Sequence, residues 1–252
     1  MTSFISKETI HRLLKDVKQI IKQPLTEQGI YYIHDDTDML KGYAMIVGPS
    51  ETPYFGGFYF FEFTYPADYP HSPPSVKYCT NENNIRFNPN LYTCGKVCVS
   101  LLNTWSGEQW TSCQSITTVL LTLCILLCED PLLNEPGVKA IRLNGEKNPQ
   151  IIKYNEVIEF ANIYTAVCSI MERKPGVYLP FFDLFYAQAK ELFIKNCPYF
   201  IEFVQNKIKE SNGINKMIVI KGYQMTRILN YSVVLDRLHL FSFKTPIIKC
   251  IS

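Results

Sequence analysis

Arg86-Phe87-Asn88-Pro89-Asn90-Leu91-Tyr92-Thr93-Cys94-Gly95-Lys96-Val97-Cys98 is the stretch on which the reading of this chain turns. It ends in a cysteine eight residues after Asn90. A thiol beside a preorganised amide points to covalent acyl chemistry, since sulfur can carry an acyl group and an amide N–H can stabilise charge on its carbonyl oxygen. Residues 79 to 113 hold no long periodic element, and Pro89, Gly95 and Gly107 keep the backbone irregular around Cys98. Functional residues often sit on such loops.

Outward from that stretch, the composition sets bounds. At 252 residues and 47% hydrophobic content, the chain can build one large domain or a domain with a smaller appendage. A net charge of +2 supplies no global basic field, so neither nucleic acid nor an anionic membrane surface is expected as a main partner. The nine cysteines (Cys79, Cys94, Cys98, Cys113, Cys124, Cys128, Cys168, Cys197 and Cys250) are odd in number and lack a repeated short spacing. With no basic-then-apolar leader, they imply a reducing, intracellular setting, cytoplasmic or nuclear. The apolar run from Val119 to Cys128 is too short to span a bilayer.

Upstream, Ile10, Leu13, Leu14, Val17, Ile20 and Ile21 recur at helical spacing after a Ser6 cap, which predicts an amphipathic helix over 6–22. Its opposite face carries Arg12, Lys15, Lys18 and Lys22. Four β-rich runs follow, Ile30–Ile33, Tyr43–Val47, Phe58–Tyr65 and Val76–Tyr78, and their short connections imply an antiparallel meander. The aromatic crowding from Phe58 to Tyr65 means that both faces of that strand are partly covered.

Downstream, Ile116, Val119, Leu120, Leu123, Leu126 and Leu127 predict a helix apolar enough to lie wholly inside the domain. Another runs from a cap at Asn148-Pro149 to about Met171. Lys174-Pro175-Gly176 breaks the periodicity and marks a boundary between residues 1–173 and 174–252. Beyond it, Leu184–Ile194 and Pro198–Ile208 suggest helices, Met217–Ile220 a strand, and Met225–Leu240 a third helix.

The quoted stretch resembles the active-site signature of ubiquitin-conjugating enzymes. In that signature a His-Pro-Asn tripeptide precedes the acceptor cysteine by this spacing, and a Gly-x-Ile/Val-Cys-Leu run carries the thiol; here Asn88 takes the histidine's place. Gly48-Pro49, Pro53-Tyr54, Gly56-Gly57, Tyr65-Pro66, Tyr69-Pro70 and Pro73-Pro74-Ser75-Val76-Lys77 follow the family's order, so about the first 170 residues are covered by independent motifs. Arg86 to Asn90, the doubled Trp105/Trp110 pattern and Asn134-Glu135-Pro136-Gly137 are most similar to the long Z-type members, which also carry a C-terminal extension.

The resemblance implies an α+β ubiquitin-conjugating fold: an N-terminal helix, a four-stranded antiparallel meander, a catalytic loop, a central buried helix and C-terminal helices. Residues 1–173 would be the catalytic core and 174–252 a mainly helical extension. Cys98 would accept ubiquitin or a ubiquitin-like protein as a thioester from an activating enzyme docked on the Arg12/Lys15/Lys18/Lys22 face. It would pass the modifier to a lysine or a ligase. Asn90 would stabilise the oxyanion or shape the loop; an asparagine bonding its own turn is the plain alternative. Asn134 or Glu135 would face the incoming lysine, although a helix-starting Glu135 before Pro136 explains that residue equally well.

No cofactor is implied, and ATP and magnesium would belong to the activating enzyme. His71 and Thr111-Ser112-Cys113 occupy the family's ligase-contact positions, which implies weak binding of the common RING ligases. The four histidines, His11, His34, His71 and His239, leave no Cys-His pair beside Cys98. A metal reading of Cys94 with Cys98, or of Cys124 with Cys128, lacks a second ligand pair. The alternative function is a non-catalytic scaffold for ubiquitin or a ligase on the same fold, against which retention of Cys98 and Asn90 argues.

Overall fold

The computed structural model describes residues 5–82, 84–141 and 145–244, with side chains as far as Phe241. Residues 245 to 252, which the sequence reading places in the extension, lie outside the described residues.

Helix α1 (Lys7–Lys22) starts at Ser6, whose hydroxyl accepts the Thr9 N–H at 3.0 Å. Its buried stripe is Thr9, Leu13, Asp16 and Ile20, whereas Leu14 and Ile21 from the predicted apolar face are exposed. A carboxylate replaces a hydrophobe at the contact because it is paired: Asp16 accepts Arg12 Nε at 2.9 Å and the Tyr69 hydroxyl at 2.5 Å. Arg12 is thereby drawn off the solvated face and also donates to the Ser112 carbonyl at 2.6 Å and to the Gln114 carbonyl.

Strands β1 (Ile30–His34), β2 (Lys41–Val47), β3 (Phe58–Thr64) and β4 (Ser75–Tyr78) form the expected antiparallel meander in sequential order. Met45 lies opposite Phe60 and Tyr43 opposite Glu62, so those residues share one face; Ala44, Ile46, Tyr59, Phe61 and Phe63 share the other. Both faces are covered. Helix α2 (Ile116–Leu126), entered through a Ser115/Thr118 capping box, buries Ile116, Val119, Leu120, Leu123 and Leu126. It is not wholly interior as its composition suggests: Leu121 and Ile125 on the opposite side are exposed, Ile125 at 75%.

Helix α3 (Pro149–Ala161) begins at the Asn148 cap and widens into a π-helical stretch, Asn162–Ser169. That widening coincides with buried polar groups. Asn162 accepts the Tyr59 hydroxyl at 2.6 Å and donates to the Phe55 carbonyl at 2.9 Å. Thr165 and Ser169 donate to Glu82, which is also ion-paired to Lys174. Gly57 is required here, because a Cβ would run into the Asn162 amide oxygen.

After residue 174 the helices differ from those expected. The expected helices Leu184–Ile194 and Pro198–Ile208 merge into one, α4 (Tyr186–Glu210), which continues through Pro198, while Leu184 and Phe185 belong to the 3-10 turn Pro180–Phe185 before it. Met225–Leu240 divides into a strand and a helix. Strand β5 (Lys216–Ile220) pairs antiparallel with β6 (Met225–Leu229), and α5 (Tyr231–Lys244) follows. Among the described residues no helix is long and apolar enough to cross a membrane.

This segment shares the core of the sheet. Phe182, fully buried, stacks on Phe60 at 3.8 Å between ring centroids, Phe181 stacks on Tyr43 at 4.7 Å, and Phe200 approaches Phe55. The aromatic density of β3 is thus answered by aromatics from beyond residue 174. Phe182→Ala is expected to lower the unfolding free energy by about 3–5 kcal/mol, read as a lower urea midpoint.

Candidate active site

The loop carrying Cys98 is built by its own backbone. Asn88 bridges Leu91, and Leu91 bridges Val97 in antiparallel fashion. A tight turn closes between them, with the Tyr92 N–H on the Lys96 carbonyl and the Gly95 N–H on the Tyr92 carbonyl, each at 2.9 Å. Gly95 has φ +93°, and a Cβ there would lie 2.9 Å from Lys77 and 3.0 Å from the Tyr78 carbonyl. Only glycine lets the turn sit this close to β4, where the Tyr78 N–H donates to the Gly95 carbonyl at 2.8 Å.

Cys98 and Asn90 are brought into direct contact. The Cys98 N–H donates to the Asn90 carbonyl at 2.9 Å, and Asn90 Nδ2 donates to the Cys98 carbonyl at 2.6 Å. The Asn90 side chain therefore crosses the loop instead of bonding its own turn. The local turn is made by Asn88, whose Oδ1 accepts the Asn90 N–H at 2.9 Å. Asn90 Oδ1 is buried without a hydrogen-bond partner.

On the far side of Cys98, Thr104 braces the loop. Its hydroxyl accepts the Val99 N–H at 2.9 Å and donates to the Val97 carbonyl at 2.9 Å. The segment between Trp105 and Trp110 follows directly; Trp105 is exposed, whereas the Trp110 ring is buried and donates to the Pro70 carbonyl at 2.7 Å.

Asn88 is fully buried and satisfies both ends of its amide. Its Nδ2 donates to the Leu126 carbonyl at the end of α2, at 2.7 Å, and approaches the Tyr54 hydroxyl at 3.3 Å. Tyr54 in turn donates to the Phe87 carbonyl at 2.6 Å. Asn134, in the short turn Pro131–Asn134, reaches the shared Asn88 Oδ1 at 3.4 Å. It thus joins the Asn88–Asn90–Cys98 relay without touching Cys98. Glu135 caps that turn rather than starting a helix, and its carboxylate accepts the Tyr223 hydroxyl at 2.5 Å.

Exposure alone would not have picked Cys98, which is 3% exposed, whereas Cys94 and Cys113 are exposed. Burial pushes the Cys79 and Cys168 thiols up to about 12 and raises those of Cys124, Cys128 and Cys197, so all of these are held protonated. Among the described residues, no group of three or more His, Cys, Asp and Glu side chains is placed to hold a metal ion.

Several residues of this site escaped the sequence reading. Thr104, Tyr54 and Tyr223 carry no local pattern, and the sequence gives Arg86 a place in the motif but no role. Its guanidinium lies 3.3 Å from the Tyr92 ring centroid and donates to the carbonyls of Asn88 at 3.1 Å and Pro89 at 2.5 Å.

A family model described as "Ubiquitin-conjugating enzyme" matches residues 12–173. Among curated proteins the chain is similar to ubiquitin-conjugating enzyme E2 Z of Homo sapiens, 45% identical over 164 residues, covering 65% of this chain and 45% of the relative. The protein of the same description from Xenopus tropicalis is 39% identical over 200 residues, covering 75% of this chain and 62% of the relative. A probable ubiquitin-conjugating enzyme E2 26 of Arabidopsis thaliana is 34% identical over 200 residues, covering 76% and 35%. The chain thus spans about half the length of the curated relatives it matches.

Asn88→Leu, which keeps the four branched side-chain heavy atoms but removes the amide, leaves the Leu126 carbonyl and the Asn90 N–H without their partner. It is expected to destabilise the protein by about 2–4 kcal/mol in chemical denaturation.

Proposed function

The chain belongs to the ubiquitin-conjugating enzyme family, and from that membership we propose that Cys98 carries ubiquitin or a ubiquitin-like modifier as a thioester between an activating enzyme and a lysine or ligase cysteine. The observation that carries this reading is the reciprocal pair of hydrogen bonds between Asn90 and Cys98, which fixes an amide beside the one thiol that ends the acceptor motif.

In the loading step, Cys98 Sγ attacks the carbonyl carbon of the modifier's thioester on the activating enzyme. The new C–S bond forms, the old one breaks, and the departing thiol takes the proton. In discharge, a lysine amine attacks the same carbonyl, the C–N bond forms as the C–S bond breaks, and the Cys98 thiol leaves with the proton the amine gives up. Attack by the amine drives negative charge onto the carbonyl oxygen, and a fixed amide donor at Asn90 lowers that barrier, acting in discharge rather than in loading. One Asn90 Nδ2 hydrogen is engaged by the Cys98 carbonyl; the amide has a second hydrogen to offer.

Lys15, Lys18 and Lys22 are exposed along α1, next to His11 and Gln19, and offer the activating enzyme a basic face. Arg12 is committed to Asp16, Ser112 and Gln114, so its part in docking is to hold α1 against the domain. Free thiols at Cys94, Cys98 and Cys113 suit a reducing cytoplasmic or nuclear setting. The exposure of Cys94 supports a second reading, in which that thiol receives the modifier.

Incubation with activating enzyme, ATP and ubiquitin, followed by a non-reducing gel, is expected to show an adduct that reductant releases. Cys98→Ser should give a reductant-resistant ester and Cys98→Ala no adduct; label persisting on Cys98→Ala would take the role from Cys98, and its loss in Cys94→Ala/Cys98→Ala would give it to Cys94. Asn90→Ala should charge nearly normally yet discharge to free lysine about 10²-fold more slowly in single turnover. Equal discharge rates at matched charging would leave Asn90 as a loop brace alone.

A further inference from the structure

After Cys98 the chain doubles back on the residues it has just passed. Ser100–Leu102 make a single 3-10 turn, anchored by the buried side chains of Leu101 and Leu102, and Asn103 at φ +55° ends it. Asparagine tolerates this left-handed backbone because its short polar side chain bonds locally, and Asn103 Oδ1 accepts the Trp110 N–H at 2.9 Å. Thr104 is thereby returned beside Val97 and Val99. Its own N–H reaches the Val99 carbonyl at 3.3 Å. Its hydroxyl accepts the Val99 N–H at 2.9 Å and lies 2.9 Å from the Val97 carbonyl and 3.0 Å from the Val99 carbonyl, to which it donates in turn.

We infer that Thr104 is a positioning residue for the Cys98 sulfur. The peptide units on either side of the Cys98 Cα present two N–H and two C=O groups, and two residues divide them. Asn90 holds the Cys98 N–H with its backbone carbonyl and the Cys98 carbonyl with its amide; Thr104 holds the Val97 carbonyl and the Val99 N–H. With both peptide planes held, the Cys98 backbone dihedrals are set and the sulfur moves only about χ1. This rests on the reading of Cys98 as the thioester carrier. The sulfur is the nucleophile in loading and the leaving group in discharge, so a residue that places it acts on both steps, whereas the Asn90 donor acts on the second. Thr104 is exposed, so water can replace its hydroxyl at each group singly, but water does not hold both peptides in one geometry. Removing the hydroxyl therefore costs rate more than stability.

The test uses the full chain and the variants Thr104→Val and Thr104→Ala, which lack the hydroxyl, and Thr104→Ser, which keeps it. Each is followed for ubiquitin loading from the activating enzyme in single turnover, for discharge to free lysine over a range of concentrations, and for its urea midpoint. Thr104→Val and Thr104→Ala should be about 5-fold slower in maximal rate in both steps, the loss expected for one hydrogen-bonding group, with the half-saturating lysine concentration unchanged. Thr104→Ser should run at the native rate, so that the hydroxyl and not the urea midpoint orders the series. Native rates in Thr104→Val and Thr104→Ala, a loss confined to one step, or a Thr104→Ser chain as slow as Thr104→Ala would overturn the inference, while native charging on Cys98 still supports the thioester reading. Failure of the native chain to charge on Cys98 would overturn both.

Discussion

Asn88 is the joint on which the site depends. A fully buried amide must satisfy an acceptor and two donor hydrogens or cost free energy, and here each demand is met by a different part of the molecule. Its nitrogen holds the end of α2 and the Tyr54 hydroxyl, and its oxygen holds the Asn90 N–H and meets Asn134. Sheet, helix and loop therefore converge on one side chain. The position of Asn90, and through it the Cys98 carbonyl, follows from a constraint inside the core.

The same economy explains the second half of the chain. A four-stranded sheet buries one face with little difficulty, but the strand from Phe58 to Thr64 is apolar on both. Phe182 and Phe181 supply the missing layer from beyond residue 174, with Phe60 and Tyr43 as their seats. Covering that face fixes the path of α4, and the chain then turns through β5 and β6 to bring Tyr223 and Met225 against Arg86. Packing on the sheet thus carries the hairpin to the loop that holds Asn90.

Local pattern accounts for the elements that were legible. α1, the four meander strands, α2 and the start of α3 each announce themselves through period and caps, because one side of each is dry and the other wet. The pattern failed where tertiary contacts override it. Pro198 looks like a break, yet α4 runs through it because Phe193, Cys197, Phe200 and Val204 are buried together along one side. Met225–Leu229 has apolar residues at a spacing that a helix also tolerates, but its backbone pairs with β5. Asp16 sits on the buried stripe of α1, where a charge is paired by Arg12 and Tyr69.

By itself the sequence determined the acceptor stretch from Arg86 to Cys98, the α+β order of elements and the proximity of Asn90 to Cys98, since all of these depend on short spacings, turn residues and periodicity. Tertiary structure decided what that stretch is anchored to. Nothing in the linear order couples Asn88 to Leu126 or Tyr223 to Glu135. Each is a hydrogen bond between groups that become neighbours only after apolar faces have been buried, and hydrogen bonding of this kind leaves no period along the chain for a reader to find.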